Sequence, residues 1–160
     1  MTSSQTKRFA KWLNLAPPQT RYLGSRVESS LVPPLEKLGF TWASDIQLTS
    51  GRELEFERAV GEFVDTVTFN FDKYRAPRFQ VQIARRAASP PNAFVRSCNL
   101  VASAKLYLYF WGKPWWYPTA YWPNHRTDRV VEALERHMAQ AANFLESGAR
   151  GPNISRPTSS

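Results

Sequence analysis

Residues 53–71 read ELEFERAVGEFVDTVTFNF, and the alternation within them decides the fold. Leu54 and Phe56 alternate with Glu53, Glu55 and Glu57; further on, Val67, Phe69 and Phe71 alternate with Thr66, Thr68 and Asn70. A period of two sends the apolar set to one face of a strand and the polar set to the other. Gly61 and Glu62, between the two runs, suit a two-residue type II′ turn, because glycine takes positive φ without steric cost. Such a turn sets Val60 opposite Phe63, and the register then runs Phe56 against Val67, Leu54 against Phe69 and Glu55 against Thr68. A slip of one residue would turn the whole apolar set out to solvent.

The same logic repeats on the C-terminal side. Phe79, Val81 and Ile83 alternate with Gln80, Gln82 and Ala84 after a loop from Asp72 to Arg78. Pairing Phe71 with Phe79 carries Arg85 to the side of Asp65, which Arg58 already faces across the first hairpin. The resulting Arg58/Asp65/Arg85 cluster reads as a structural ion pair that fixes register. Ser89-Pro90-Pro91-Asn92 marks the next loop, and alternation resumes from Cys98 to Trp111 as one long strand or two shorter ones. From Gly112 to Pro123 the prolines exclude a helix or a central strand, and the segment is expected to be an ordered loop or a ruffled edge.

Helical periodicity brackets these strands. Phe9, Trp12 and Leu13 fall at i, i+3 and i+4, which predicts a short amphipathic helix from Lys7 to Leu15, ended by Pro17-Pro18. A second helix starts near Thr20, carries Leu23, Val27 and Leu31, and is expected to stop at Pro33-Pro34, with one further turn over Leu35 to Leu38 closed by Gly39. The last helix has Thr127 as its cap, Asp128 in its first turn, a buried stripe of Val130, Leu134, Met138, Ala141 and Leu145, and Gly148 as its stop. Together these predict an α+β fold: a four- to five-stranded antiparallel meander flanked by N-terminal helices and a C-terminal helix. The expected organisation is an N-terminal arm with a short amphipathic helix over 1–19, a single α+β domain over 20–149 and a flexible tail over 150–160.

Composition limits the classes of function. The chain has 160 residues, 42% hydrophobic and 21% charged, a globular balance that can bury a core without crosslinks. Cys98 is the only cysteine, so no intrachain disulfide exists and a reducing compartment is expected. The chain has no apolar leader and no run long enough to span a membrane, so a cytoplasmic location is expected and no membrane partner. Its glycines are scattered, with no phosphate-binding fingerprint, and no cofactor or metal is implied.

Three constellations invite a chemical reading. Cys98 with His125 or His137 would make a thiolate nucleophile and its base, but a lone cysteine in an apolar alternation is ordinarily a small core residue. One cysteine and two separated histidines at no familiar spacing do not make a zinc site. Glu53, Glu55 and Glu57 line one face of a strand, a row that a hard cation or an acid/base pair could use; the plainer reading is the solvated face of an edge strand.

The order helix, Leu35-Glu36-Lys37-Leu38-Gly39-Phe40, alternating strands, Trp-rich segment and closing helix resembles small bacterial families of unknown function, some of them suspected immunity-type proteins that neutralise toxins. The resemblance covers Arg21 to Gly148, implies the architecture, and assigns no functional residue.

Charge and aromatics carry the functional expectation. The formal net charge is +8, mostly arginine, and from Lys73 to Thr127 basic residues occur without a single acid. Tyr and Trp residues are interleaved with them, a combination that suits a Trp/Tyr/Arg protein hot spot or base stacking with phosphate neutralisation. The expected partner-binding set is Lys73, Arg75, Arg78, Trp111, Lys113, Trp115, Trp116, Tyr117 and Arg126. The chain is read as a non-enzymatic binding module for an acidic macromolecular surface, most readily a protein. Single-stranded nucleic-acid binding and an enzyme with an unrecognised site are the alternatives, and oligomeric state is left open.

Overall fold

A computed structural model describes residues 4–43, 51–89, 94–101, 115–116 and 123–155, with the backbone alone at 115–116 and 123–126. The described elements are α1 (Ser4–Asn14), α2 (Pro18–Lys37), β1 (Thr41–Trp42), β2 (Glu53–Val60), β3 (Phe63–Phe71), β4 (Phe79–Ala87), β5 (Phe94–Leu100), β6 (Trp115–Trp116) and α3 (Pro123–Ser147). Strands β1 to β5 follow one another in the sheet and every pairing is antiparallel. β6 adds to β4 at Phe79 and Gln80, ahead of the stretch Val81–Arg86 that β5 occupies. The fold is α+β, a meander with helices before and after it.

The first hairpin forms in the expected register: Val60 faces Phe63, Phe56 faces Val67, Leu54 faces Phe69 and Glu55 faces Thr68. Gly61 takes φ +59° while Glu62 does not turn positive, the pattern of a type II′ turn. Phe71 faces Phe79 and Asp65 faces Arg85, again as the alternation requires. A β-bulge between Arg85 and Arg86 then sets Phe94 opposite Arg86 and leaves Val95 as the extra residue.

One core lies between the apolar face of the sheet and the three helices, with Phe9, Leu23, Leu35, Phe69, Leu134 and Leu145 all fully buried in it. Ring contacts run through this core from Trp12 and Phe9 to Phe71, Phe79, Phe69, Phe56 and Trp42, with centroids between 4.2 and 6.4 Å apart. These are the offset and edge-on spacings at which aromatic rings attract. α1 is part of this core: its Phe9 is fully buried and Trp12 and Leu13 nearly so.

The helices differ from expectation in three places. α2 begins at Pro18 and passes through Pro33 and Pro34 without stopping. The continuation keeps Val27, Leu31 and Leu35 on one buried stripe, and that burial outweighs the lost backbone hydrogen bonds. Only then does Gly39, at φ +87°, end the helix, with the Phe40 amide donating to the Leu35 carbonyl. α3 starts at Pro123, where a proline needs no amide partner, so Thr127 is a buried residue inside the helix and not its cap. Its core stripe uses Val131, with Phe144 added, where Val130 was expected.

Residues 151–155, read from sequence as the start of a tail, lie against β5. Ile154 bridges to Leu100 with 7% of its surface exposed, and the Ser155 amide donates to the Asn99 carbonyl at 3.0 Å.

Candidate functional site

The loop between β3 and β4 is organised by one carboxylate. Asp72 is 2% exposed. Its Oδ2 accepts from the Tyr74 amide at 2.9 Å and the Ala76 amide at 3.2 Å, and its Oδ1 accepts from Arg78 Nε at 2.8 Å. Burial pushes the Asp72 carboxyl up, but the hydrogen bonds from Arg78, Ala76 and Tyr74 outweigh it and hold it below the ordinary aspartate range. An aspartate that binds the amide two residues on makes a side-chain turn, and this one fixes the tip of the loop.

The residue at that tip points outward. Tyr74 is 76% exposed, and Lys73 Nζ stands 4.8 Å above its ring. Arg75 follows with φ +61°, a left-handed conformation that costs a non-glycine residue roughly 1–2 kcal/mol. Three contacts hold it there: its amide donates to the Asp72 carbonyl at 2.9 Å, the Thr20 hydroxyl donates to its carbonyl at 2.8 Å, and its guanidinium lies 5.6 Å from the Trp12 ring. The loop is therefore tied to both α1 and α2 while its aromatic tip stays in solvent.

The surroundings are electropositive. Lys7 and Lys11 project from α1, and with Lys73 and Arg75 they have no carboxylate partner among the described residues. The acids nearby are already engaged, Asp72 by Arg78, Glu53 by Arg52 at 3.4 Å and Asp128 by Arg26 at 2.9 Å. Helix direction adds to the field. Thr20 ties the start of α2 to this loop, and Asp128 near the start of α3 accepts from Tyr22 and Arg26 of α2. At the far end Arg58 reaches both the Leu38 carbonyl and Glu146. The two helices thus run in the same direction and turn their positive N-terminal ends toward the loop.

No protein-family model, curated protein or solved structure matches this chain.

Of the residues expected from sequence, Lys73, Arg75 and Arg78 come together in this loop. Arg78 bonds to Asp72, Lys73 is exposed, and Arg75 is half-buried with its guanidinium against the Trp12 ring. Trp115 and Trp116 pair with Gln80 and Phe79, immediately after the loop, so their backbone belongs to the same end of the sheet. Arg126 lies in the first turns of α3, at that end too. Trp111, Lys113 and Tyr117 lie outside the described residues, as do the rings of Trp115 and Trp116 and the side chain of Arg126. Sequence reading missed Tyr74. The signal for it was Asp72 followed two residues later by an aromatic, in a loop between strands.

The catalytic readings gain little geometry. Cys98 is 4% exposed and burial pushes its thiol up to about 12, so it is protonated at neutral pH. The hollow that touches Cys98 has no histidine in its lining. His137 is shifted down by burial and by Arg136. Among the described residues no group of three or more His, Cys, Asp or Glu is placed to hold a metal ion, and no helix is long and apolar enough to cross a membrane.

The glutamate row does not lie on an open edge. β1 pairs with β2 at Glu57 and Phe56. Next to it the Gln5 side chain meets the backbone of Glu55 through both amide atoms, Nε2 to the carbonyl at 3.0 Å and Oε1 from the amide at 2.9 Å.

Proposed function

We propose that this protein is a non-enzymatic binding module whose electropositive end, led by Tyr74, docks on an acidic surface of a partner protein. One observation carries the reading: an aromatic residue 76% exposed on a turn locked by a buried aspartate, flanked by Lys73 and Arg75, neither of which has a carboxylate partner among the described residues. A tyrosine held in place loses little conformational freedom on binding, and its amphipathic ring is favoured at interface hot spots. The surrounding lysines and Arg75 supply steering toward negative charge. Protein is preferred over nucleic acid because Tyr74, held on a locked turn, suits a single pocket, whereas single strands use successive stacking platforms.

The test is capture from cells of the native source, with and without nuclease, using the intact chain and Tyr74→Ala. The reading expects a nuclease-resistant partner that the variant fails to retain while its melting temperature stays close to that of the parent. Capture lost on nuclease treatment, with a log–log salt slope near −0.7 per phosphate, assigns the same surface to single-stranded nucleic acid. Equal capture by the variant removes Tyr74 from the site.

A further inference from the structure

The outer edge of β5 is covered along only part of its length. Toward its C-terminal end it carries residues 151–155 as an added strand. Ile154 bridges antiparallel to Leu100, the Val101 amide donates to the Asn153 carbonyl at 2.8 Å, and the Ser155 amide donates to the Asn99 carbonyl at 3.0 Å. Outward backbone groups recur at every second residue of a strand, so after Val101 and Asn99 the next are the amide and carbonyl of Ser97. Among the described residues no backbone group bonds to them on that side. The chain's own next residues are poorly suited to continue the ladder. Counting on from Ile154 opposite Leu100, the residue that would fall opposite Ser97 is Pro157, which has no amide to give.

A groove of about 330 Å³ runs beside this bare stretch, with β5 from Phe94 to Ser97 as one wall and Phe144, Gly148 and Arg150 as the other. Phe94 is 67% and Val95 50% exposed. Large apolar residues along a strand edge are what soluble proteins ordinarily cover. The charge of the groove has one sign, since its lining includes Arg96 and Arg150 and no acid. Arg96 is committed: its Nη1 donates to the Leu145 carbonyl at 2.6 Å and offsets the negative end of α3. Arg150 is exposed and has no carboxylate partner among the described residues.

These features select an occupant. Ser97 offers a donor and an acceptor from one residue, and an extended peptide backbone answers both at once. The bulge limits the regular ladder to Ser97 and leaves Val95 as the extra residue, so side chains must supply the rest of the contact. A second copy of this chain would set Arg96 and Arg150 against their own equivalents, on top of a net charge of +8 on each molecule. An acidic segment meets attraction instead. We infer that the outer edge of β5 from Phe94 to Ser97 accepts an added β-strand from an acidic segment of a partner protein. Its apolar side chains lie on Phe94 and Val95, and a carboxylate pairs with Arg150.

This edge lies at the far end of the sheet from Tyr74: Phe94 pairs with Arg86 near the end of β4, whereas Tyr74 precedes the start of that strand. The experiment keeps the two surfaces apart. A displayed library of random decapeptides is panned on the full chain carrying Tyr74→Ala, and the enriched peptides are synthesised and titrated by fluorescence anisotropy. Peptides that combine acids with alternating apolar residues should be enriched. Their binding to the full chain should weaken at least about tenfold on Phe94→Ala and on Arg150→Glu, and should be unchanged by Tyr74→Ala. Methylating every second peptide amide should abolish binding in one register and spare it in the other, because only alternate amides face the edge. Since Phe94 is largely exposed, its variant should fold, and an unaltered melting temperature verifies this. No enrichment, or enriched peptides without acids, overturns the inference. So does binding that Phe94→Ala or both methylation registers leave intact. A concentration-dependent dimer of the parent chain that Val95→Asp abolishes overturns it too, by assigning the edge to a second copy.

Discussion

The two ends of β3 use the same pair of residue types to opposite effect. Near its start Asp65, fully buried, holds Arg85 through two bonds of 2.7 and 2.9 Å and Arg58 at 3.0 Å. Both guanidinium groups are roofed by rings, Arg58 over Phe40 at 4.7 Å and Arg85 near Phe63 at 5.4 Å. Just past its other end Asp72 holds Arg78, but its second oxygen holds backbone amides, and those amides belong to a loop. At the first end the carboxylate joins strands and keeps its arginines inside. At the second it shapes a turn, and the residues next in sequence, Lys73 and Tyr74, are left at the surface. Position decides the outcome: a charged pair between strands stabilises register, whereas the same pair beyond the strand end presents what lies between its partners.

The sharpest way to break this comparison is Asp65→Ala, which strands two buried arginines and should cost about 3–5 kcal/mol in urea melts. Asp72→Ala should cost about 2 kcal/mol, since charged hydrogen bonds are lost but the loop can relax toward water. Similar losses at the two sites would erase the distinction between a core pair and a presenting pair. Asp72 also gives the comparison a pH signature. Its folded-state value is lowered, so its contribution is present above the ordinary aspartate value of about 3.9 and is lost as pH falls through the lowered folded-state value. The stability gap between the parent and Asp72→Asn should therefore narrow in acid. Smallest of the three, Arg75→Gly relieves left-handed strain but gives up the contact over Trp12, and the net change should stay within about 1 kcal/mol. A larger destabilisation would mean that Arg75 is a structural clamp and not a surface residue.

The sheet was legible because period-two alternation and Gly61-Glu62 each specify the same register, so the Arg58/Asp65/Arg85 cluster followed from counting. α2 was less legible at Pro33-Pro34, where a local rule against helix meets a stripe of Val27, Leu31 and Leu35 whose burial depends on the whole fold. The start of α3 was misplaced for a related reason: Thr127 has a cap's chemistry, but Pro123 is the better first-turn residue. At the candidate site the basic residues of the loop were visible in composition. The prominence of Tyr74 was not, because it results from Asp72 bending back on two amides and from a left-handed Arg75 secured by Thr20 and Trp12. Those partners are distant in sequence, and periodicity carries no information about them.

The Gln5 amide has one more consequence. By offering both a donor and an acceptor to the backbone of Glu55, and a further bond from Nε2 to the Ala43 carbonyl at 3.0 Å, it does what a residue of a neighbouring strand would do. β1 pairs Thr41 and Trp42 with that side of β2, the Ala43 amide donates to the Glu55 carbonyl at 3.0 Å, and the Gln5 side chain continues the ladder by accepting from the Glu55 amide. Exposed strand edges recruit other chains, and a row of unmet amides beside alternating glutamate and apolar residues is a template for intermolecular stacking. α1 thus occupies backbone groups of Glu55 as well as covering the core, and a chain shortened past Gln5 would free those groups while Phe9 and Trp12 still packed inside.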